Sequence, residues 1–386
     1  MALIRKLKAA LFMFAVISSS TLLASSMNMR EGVTETSQMA YDLHMLVTWV
    51  CVVIGVLTFG AMFYSMWAHR RAANPTPAKF SHSTLVEIIW TVIPFLILIG
   101  LAVPATKALI LMEDTDTDVD MTVLITGSQW KWHYKYLDGE AKDIEFLSLL
   151  STPRDMIDDY DGTASEKPEM TYLLEVDKHL VIPAGKKVRF LLTSDDVIHS
   201  WWVPDFAIKK DAIPGFINES WVRTDVLGTY RGQCTELCGK DHGFMPVVVD
   251  VLSEADFSNW VAEQRQAIAD AEAAAAAAAA KSWSMEDLMA KGEEVYLARC
   301  AVCHKADGSG QPPVFPSMIG TAVTTGPIED HINTIVHGVS GTAMQAFGPQ
   351  LTDAEIAAVV TYERNAWGNN VGDMAQPADI AAYRNK

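Results

Sequence analysis

The chain is 386 residues long, half of them hydrophobic, with a net charge of −17. That is roughly twice an ordinary domain, so at least two folded modules are expected. Most of the charge lies in residues 113–263, which hold 29 acidic and 14 basic side chains; such a surface repels nucleic acid and anionic lipid and attracts basic partners.

Residues 1–26 read as a secretory signal. Arg5, Lys6 and Lys8 precede an unbroken apolar stretch from Ala9 to Ile17, and small residues Ala24, Ser25 and Ser26 follow. Residues 40–112 then read as a transmembrane hairpin, with spans at about 43–68 and 87–111. Met45 to Ala68 and Ile88 to Thr106 contain no Asp, Glu, Lys, Arg or His, and each run is long enough to cross the roughly 30 Å hydrocarbon core. Arg70, Arg71 and Lys79 lie between the spans, whereas five acidic residues from Glu113 to Asp120 follow the second. The basic loop belongs inside, so everything beyond residue 112 lies outside. Glu87 sits at the inner mouth of the second span, as a solvated helix end or as part of a proton path.

From Met121 the period changes to two. "MTVLITGSQWKWHYKY", "KKVRFLLTS" and "PVVVDVLS" are β-branched and aromatic, punctuated by Gly, Pro and Asp, which predicts an all-β barrel or sandwich over residues 113–263. Residues 138–170 are acidic and patternless and read as a surface loop. Two segments carry chemistry. "DVIHSWWVP" contains His199, and "YRGQCTELCGKDHGFMP" places Cys234, Cys238, His242 and Met245 at C-x3-C-x3-H-x2-M. Thiolates, imidazole and thioether in one turn select a soft metal, and the thioether favours copper. Two coppers bridged by both sulfurs would use two thiolates, two imidazoles and one Met. A Cys234–Cys238 disulfide leaves the histidines and the methionine unexplained, and zinc leaves the methionine unexplained.

These segments, with "DAIPGFINES", "LVEIIWTVIPFLILI" and "TGSQWKWHYKY", closely resemble subunit II of cytochrome c oxidase over about residues 40–263. The resemblance implies a cupredoxin-like barrel behind the two-helix hairpin. It implies a binuclear copper-A centre held by His199, Cys234, the Glu236 carbonyl, Cys238, His242 and Met245. It also implies a magnesium ion held by the Glu236 side chain at the contact with subunit I. Trp130 matches the aromatic residue through which electrons arrive, although Trp130, Trp132, Tyr134 and Tyr136 also alternate like a core face. Glu87 matches the mouth of a proton channel. Ser128 departs from the histidine many relatives carry there.

Residues 264–282, with alanines from Ala273 to Ala280, read as a helical or semi-rigid linker. Residues 283–386 read as an all-α cytochrome c domain. Cys300, Cys303 and His304 form C-x-x-C-H, the signature of one covalent haem c. "GTAMQAFGPQLTDAEIAAVVTYERN" resembles the methionine loop and final helix of class I cytochromes c, which makes Met344 the expected sixth ligand ahead of Met318 and Met374. His331 and His337 are the bis-histidine alternatives, read as surface or propionate-adjacent residues.

The expected function is to carry electrons into a proton-translocating respiratory oxidase, from a donor through haem c and copper A to haem in subunit I, where oxygen becomes water. The expected partners are subunits I and III, a donor such as a cytochrome bc complex or a c-type cytochrome, and lipid. The expected place is the bacterial inner membrane, as a multi-pass protein with both redox modules on the periplasmic face. A membrane-anchored carrier or a copper-handling protein is the alternative.

Overall fold

The structure, a computed structural model, describes residues 28–76, 79–153, 171–339 and 342–384; the predicted signal segment lies outside the described residues. It divides into two compact units, Met1–Ser258 and Asn259–Lys386.

The first unit opens with two long helices, α1 (Glu35–Ala68) and α2 (Thr84–Met112). Their most apolar 18-residue stretches have mean hydropathies of 2.3 and 2.4 and are not buried within the chain. Such helices require lipid around them. α1 begins about eight residues before the expected span. Thr34 and Ser37 form a reciprocal cap, Ser37 N donating to Thr34 Oγ1 and Thr34 N to Ser37 Oγ, both at 2.9 Å. The added turns, "ETSQMAYDLH", are polar and so carried no span signal.

Among the described residues ten strands follow: β1 (Met121–Ser128), β2 (Lys131–Tyr136), β3 (Glu145–Ser148), β4 (Leu180–Pro183), β5 (Val188–Ser194), β6 (His199–Val203), β7 (Ile208–Ala212), β8 (Asn218–Val222), β9 (Gly228–Cys234) and β10 (Pro246–Leu252). They form two sheets, β3-β2-β1-β5-β8 and β4-β10-β9-β6-β7. The inner faces meet through Trp132, Tyr134, Phe190 and Trp201, all fully buried. Phe190 and Trp201 lie 5.2 Å apart by ring centroid, Trp201 Nε1 donates to Tyr134 Oη at 3.2 Å, and Tyr136 Oη donates to the Val181 carbonyl at 2.7 Å. The large rings fill the space between the sheets while their polar atoms stay paired. β3 corrects the surface-loop expectation over part of 138–170: "EFLS" is too short to show a period by itself, and pairs with β2.

Both outer ends of the hairpin are hydrogen-bonded to the barrel. Before α1, Val33 N donates to the Asp205 carbonyl at 2.9 Å and Thr34 Oγ1 to the Phe206 carbonyl at 3.2 Å. After α2, Trp221 Nε1 donates to the Leu111 carbonyl at 3.2 Å. Buried Lys187 donates to the carbonyls of Asp114 and Thr117, both at 2.7 Å, with its ammonium over the Trp221 ring.

A long helix, α3 (Glu254–Ala280), starts in the first unit and contains the alanine run. The second unit is all-α: α4 (Met285–Arg299), α5 (Ala301–His304), α6 (Ala322–Thr325), α7 (Ile328–His337), α8 (Asp353–Asn365) and α9 (Pro377–Arg384). α8 starts where its Thr352–Glu355 capping box predicts. It crosses α4 at Gly292, where a Cβ would meet the Ala358 carbonyl oxygen at 2.2 Å. Tyr296, Tyr362 and Trp367 pack beside that crossing.

Candidate metal centre and haem-attachment site

Three strand ends converge at one edge of the barrel. β6 pairs with β9 so that Trp201 faces Cys234, and His199, two residues earlier on β6, turns to the same side as Trp201. Its ring packs so closely on β1 that a Cβ at Gly127 would stand 2.9 Å from His199 Cδ2. β9 ends at Cys234, and the loop to β10 returns Cys238, His242 and Met245 to the same place.

The sulfurs of Cys234 and Cys238 lie 3.9 Å apart, both buried as free thiols. His199 Nδ1 is 4.0 Å from Cys234 Sγ, His242 Nδ1 is 3.4 Å from Cys238 Sγ, and Met245 Sδ is 3.6 Å from Cys238 Sγ. The Glu236 carbonyl oxygen is 3.4 Å from Cys234 Sγ, while the residue itself is exposed. Every donor expected from spacing therefore stands in one pocket. The ligand atoms of His199, Cys234 and Cys238 lie within 4.8 Å of one another.

The local electrostatics suit a metal. Hydrogen bonding with Cys238 draws the Cys234 thiol well down, and the same contact pushes Cys238 up. Burial alone would depress His199, but hydrogen bonds to Asp196 and Cys234 outweigh it and hold the imidazole at about 8. Asp196 Oδ1 lies 2.8 Å from His199 Nε2, so that nitrogen donates and Nδ1 is left facing the sulfur. Soft donors with a fixed imidazole fit copper.

Trp130 separates from its alternating neighbours. Trp132, Tyr134 and Tyr136 are fully buried in β2. Trp130 precedes the strand, is half-buried, and donates through Nε1 to the Cys238 carbonyl at 3.1 Å. Gln129 Nε2 donates to the same oxygen at 2.8 Å. Asp196 and Gln129 were not singled out from sequence; an aspartate three residues before the ligand histidine was the available signal. Glu87 lies in the first turn of α2, one turn past its cap Ser83.

In the second unit Cys300 ends α4, and Cys303 and His304 follow on the short α5. His304 Nδ1 lies 2.9 Å from the Pro316 carbonyl. A carbonyl only accepts, so Nδ1 is the donor there and Nε2 is the nitrogen left to ligate iron. Two cysteines on one turn, neither in a disulfide, and an oriented imidazole fit covalent haem. Met344 is partly buried against the core of this unit. Met318 is held by its backbone, its carbonyl accepting from Thr324 Oγ1 and Asn369 Nδ2. Met374 is 44% exposed. The surface reading of His331 is corrected: it is 1% exposed and lies 2.7 Å from Glu363 Oε2, an approach made across 32 residues of sequence. His337 Nε2 lies 3.1 Å from the Tyr383 carbonyl.

Both units resemble known protein families. Residues 121–252 match the periplasmic domain of cytochrome c oxidase subunit II, and residues 23–108 match its transmembrane domain. Residues 287–362 match subunit III of cbb3-type cytochrome c oxidase. A probable cytochrome c oxidase subunit 2 of Rickettsia bellii is 40% identical over 230 residues, 60% of this chain and 81% of that protein. The mitochondrial subunit 2 of Glycine max is 35% identical over 61% of this chain and 58% of its own length. The solved periplasmic domain of subunit II from Bradyrhizobium japonicum is 39% identical, covering 38% of this chain and 95% of that one, with a TM-score of 0.32.

Proposed function

Since this chain belongs to the cytochrome c oxidase subunit II family, and is the electron-input subunit of a haem-copper terminal oxidase, we propose that it carries two redox relays. One is a haem c in a module over residues 283–386, and the other a binuclear copper centre in a module over 113–263; residues 264–282 are the spacer. When bound, the haem and the copper pair supply one-electron carriers.

The chain's own residues build both sites. Cys234, Cys238, His199, His242, Met245 and the Glu236 carbonyl would hold the copper pair, the two thiolates shared between both ions. Asp196 fixes the His199 ring. Trp130, hydrogen-bonded to the copper loop, is the point where electrons come in. Cys300 and Cys303 would anchor the porphyrin covalently, and His304 and Met344 would hold the iron. The Glu236 side chain shares a magnesium ion with subunit I, and Leu237, 79% exposed, leaves an apolar loop tip for that contact. Glu87 opens a proton channel in subunit I. Subunit III and a cytochrome bc complex or c-type cytochrome are further partners, and the membrane is the bacterial inner membrane.

The convergence of two thiols, two imidazoles and a thioether in one pocket is the observation that carries this reading. Its test is the full oxidase bearing Cys234→Ser or Cys238→Ser. Each variant is expected to lose the mixed-valence copper resonance while keeping full covalent haem. A copper signal unaltered in either variant would contradict bridging by both sulfurs.

A further inference from the structure

Trp130 is half-buried and sits in the turn between β1 and β2 rather than in a strand. Its ring is held by the loop that carries the candidate copper ligands. The Cys238 carbonyl accepts from Trp130 Nε1 at 3.1 Å and from Gln129 Nε2 at 2.8 Å. A carbonyl oxygen has two lone pairs, so one acceptor serves both donors. Gln129 is itself fixed from the other side. Its backbone N–H donates to Asp196 Oδ2 at 2.7 Å, and Asp196 Oδ1 lies 2.8 Å from His199 Nε2. Gln129 thus bridges the two segments that supply candidate ligands, the start of β6 and the loop after β9.

The next residue of the loop makes this close approach possible. Gly239 has a φ of +120°, a conformation that L side chains rarely adopt. A Cβ there would stand 2.9 Å from Trp130 Cζ2 and 3.0 Å from Gln129 Nε2. The indole and the amide therefore lie directly on loop backbone, and any side chain at position 239 would push them off it.

We infer that Gln129 and Gly239 are positioning residues for Trp130: the amide pins the Cys238 carbonyl beside the indole, and the missing side chain lets the ring close on it. The indole is then a single hydrogen bond from the main chain of a candidate thiolate ligand. Losing either contact frees the half-buried ring to swing toward solvent, and a misplacement of about 1 Å can cost on the order of a hundredfold in rate. The effect on rate rests on the reading of Trp130 as the point of electron entry; the effect on the ring's position does not.

The test uses the full oxidase carrying Gln129→Leu, Gly239→Ala, Trp130→Phe or the double variant Gln129→Leu/Trp130→Phe. Reduction of the copper centre, followed in its absorption band after rapid mixing with donor, is expected to slow roughly tenfold or more in each single variant, with copper content and the mixed-valence resonance retained. The double variant should be no slower than Trp130→Phe, because both changes remove one contact. Ultraviolet resonance Raman gives a readout apart from turnover. The indole N–H band that Trp130→Phe removes should move toward weaker hydrogen bonding in Gln129→Leu and Gly239→Ala. A wild-type band in both variants overturns the inference. So does a wild-type rate in both where Trp130→Phe is slow, or additive slowing in the double variant, since Gln129 would then act elsewhere than on Trp130. If Trp130→Phe keeps the wild-type rate, the electron-entry reading falls and the band alone decides the positioning. If Gln129→Leu does not accumulate with copper, the band and rate of Gly239→Ala decide it.

Discussion

Asp196 accepts from His199 Nε2 at 2.8 Å with one oxygen and from the Gln129 backbone N–H at 2.7 Å with the other. One carboxylate thus ties the candidate ligand His199 to the backbone beside Trp130. Asp196→Asn keeps the shape and removes the charge. Copper affinity should fall roughly 10- to 100-fold, and the copper potential should rise. Metal analysis and potentiometry of the purified oxidase measure both; wild-type values for both would mean that the carboxylate does not act on the ring.

Met344→Ala removes the thioether expected opposite His304. The reduced haem should turn high-spin and its potential should drop. Met318→Ala should leave the spectrum unchanged, because Met318 is held through its carbonyl. The reverse pattern in absorption spectra would move the ligand to Met318.

Gly292→Ala puts a Cβ 2.2 Å from the Ala358 carbonyl oxygen and 2.5 Å from Tyr362 Cβ. The obstacle is backbone, so α4 and α8 must part. A loss of about 1–3 kcal/mol is expected in the unfolding transition of the haem-bearing unit, followed by calorimetry. An unmoved transition would show that the crossing has slack.

Lys187→Met keeps the stem over Trp221 but leaves the carbonyls of Asp114 and Thr117 without their donor. The cost should be about 1–3 kcal/mol. Limited proteolysis in detergent should cut the 113–120 stretch faster than in wild type, and equal cleavage rates would deny Lys187 this role.

The candidate metal donors could be read from sequence because four of the five side chains lie within one loop, where spacing alone restricts them. His199 was legible only as a histidine in a second strand-like segment, since β6 brings it in from another strand. Asp196 and Gln129 could not be read in the same way: their roles arise where the β1–β2 turn meets the start of β6, a contact without local pattern. β3 is four residues long, too short for a period of two to stand out from its charged flanks. His331 resembled a surface residue because the partner that buries it, Glu363, lies on another helix. The strands of the barrel and the capped start of α8 were legible for the opposite reason, each being specified by residues close together in the chain.

The hairpin meets the barrel at two separate places, through Val33 and Thr34 on one side and Leu111, Asp114 and Thr117 on the other. A body hung from one flexible strand can swing, but one fastened at two points cannot pivot about either. The height of the Cys234–Cys238 pocket above the lipid is therefore fixed within this chain. The electron's last gap into the partner subunit is then a built-in length, not one searched for anew at each turnover.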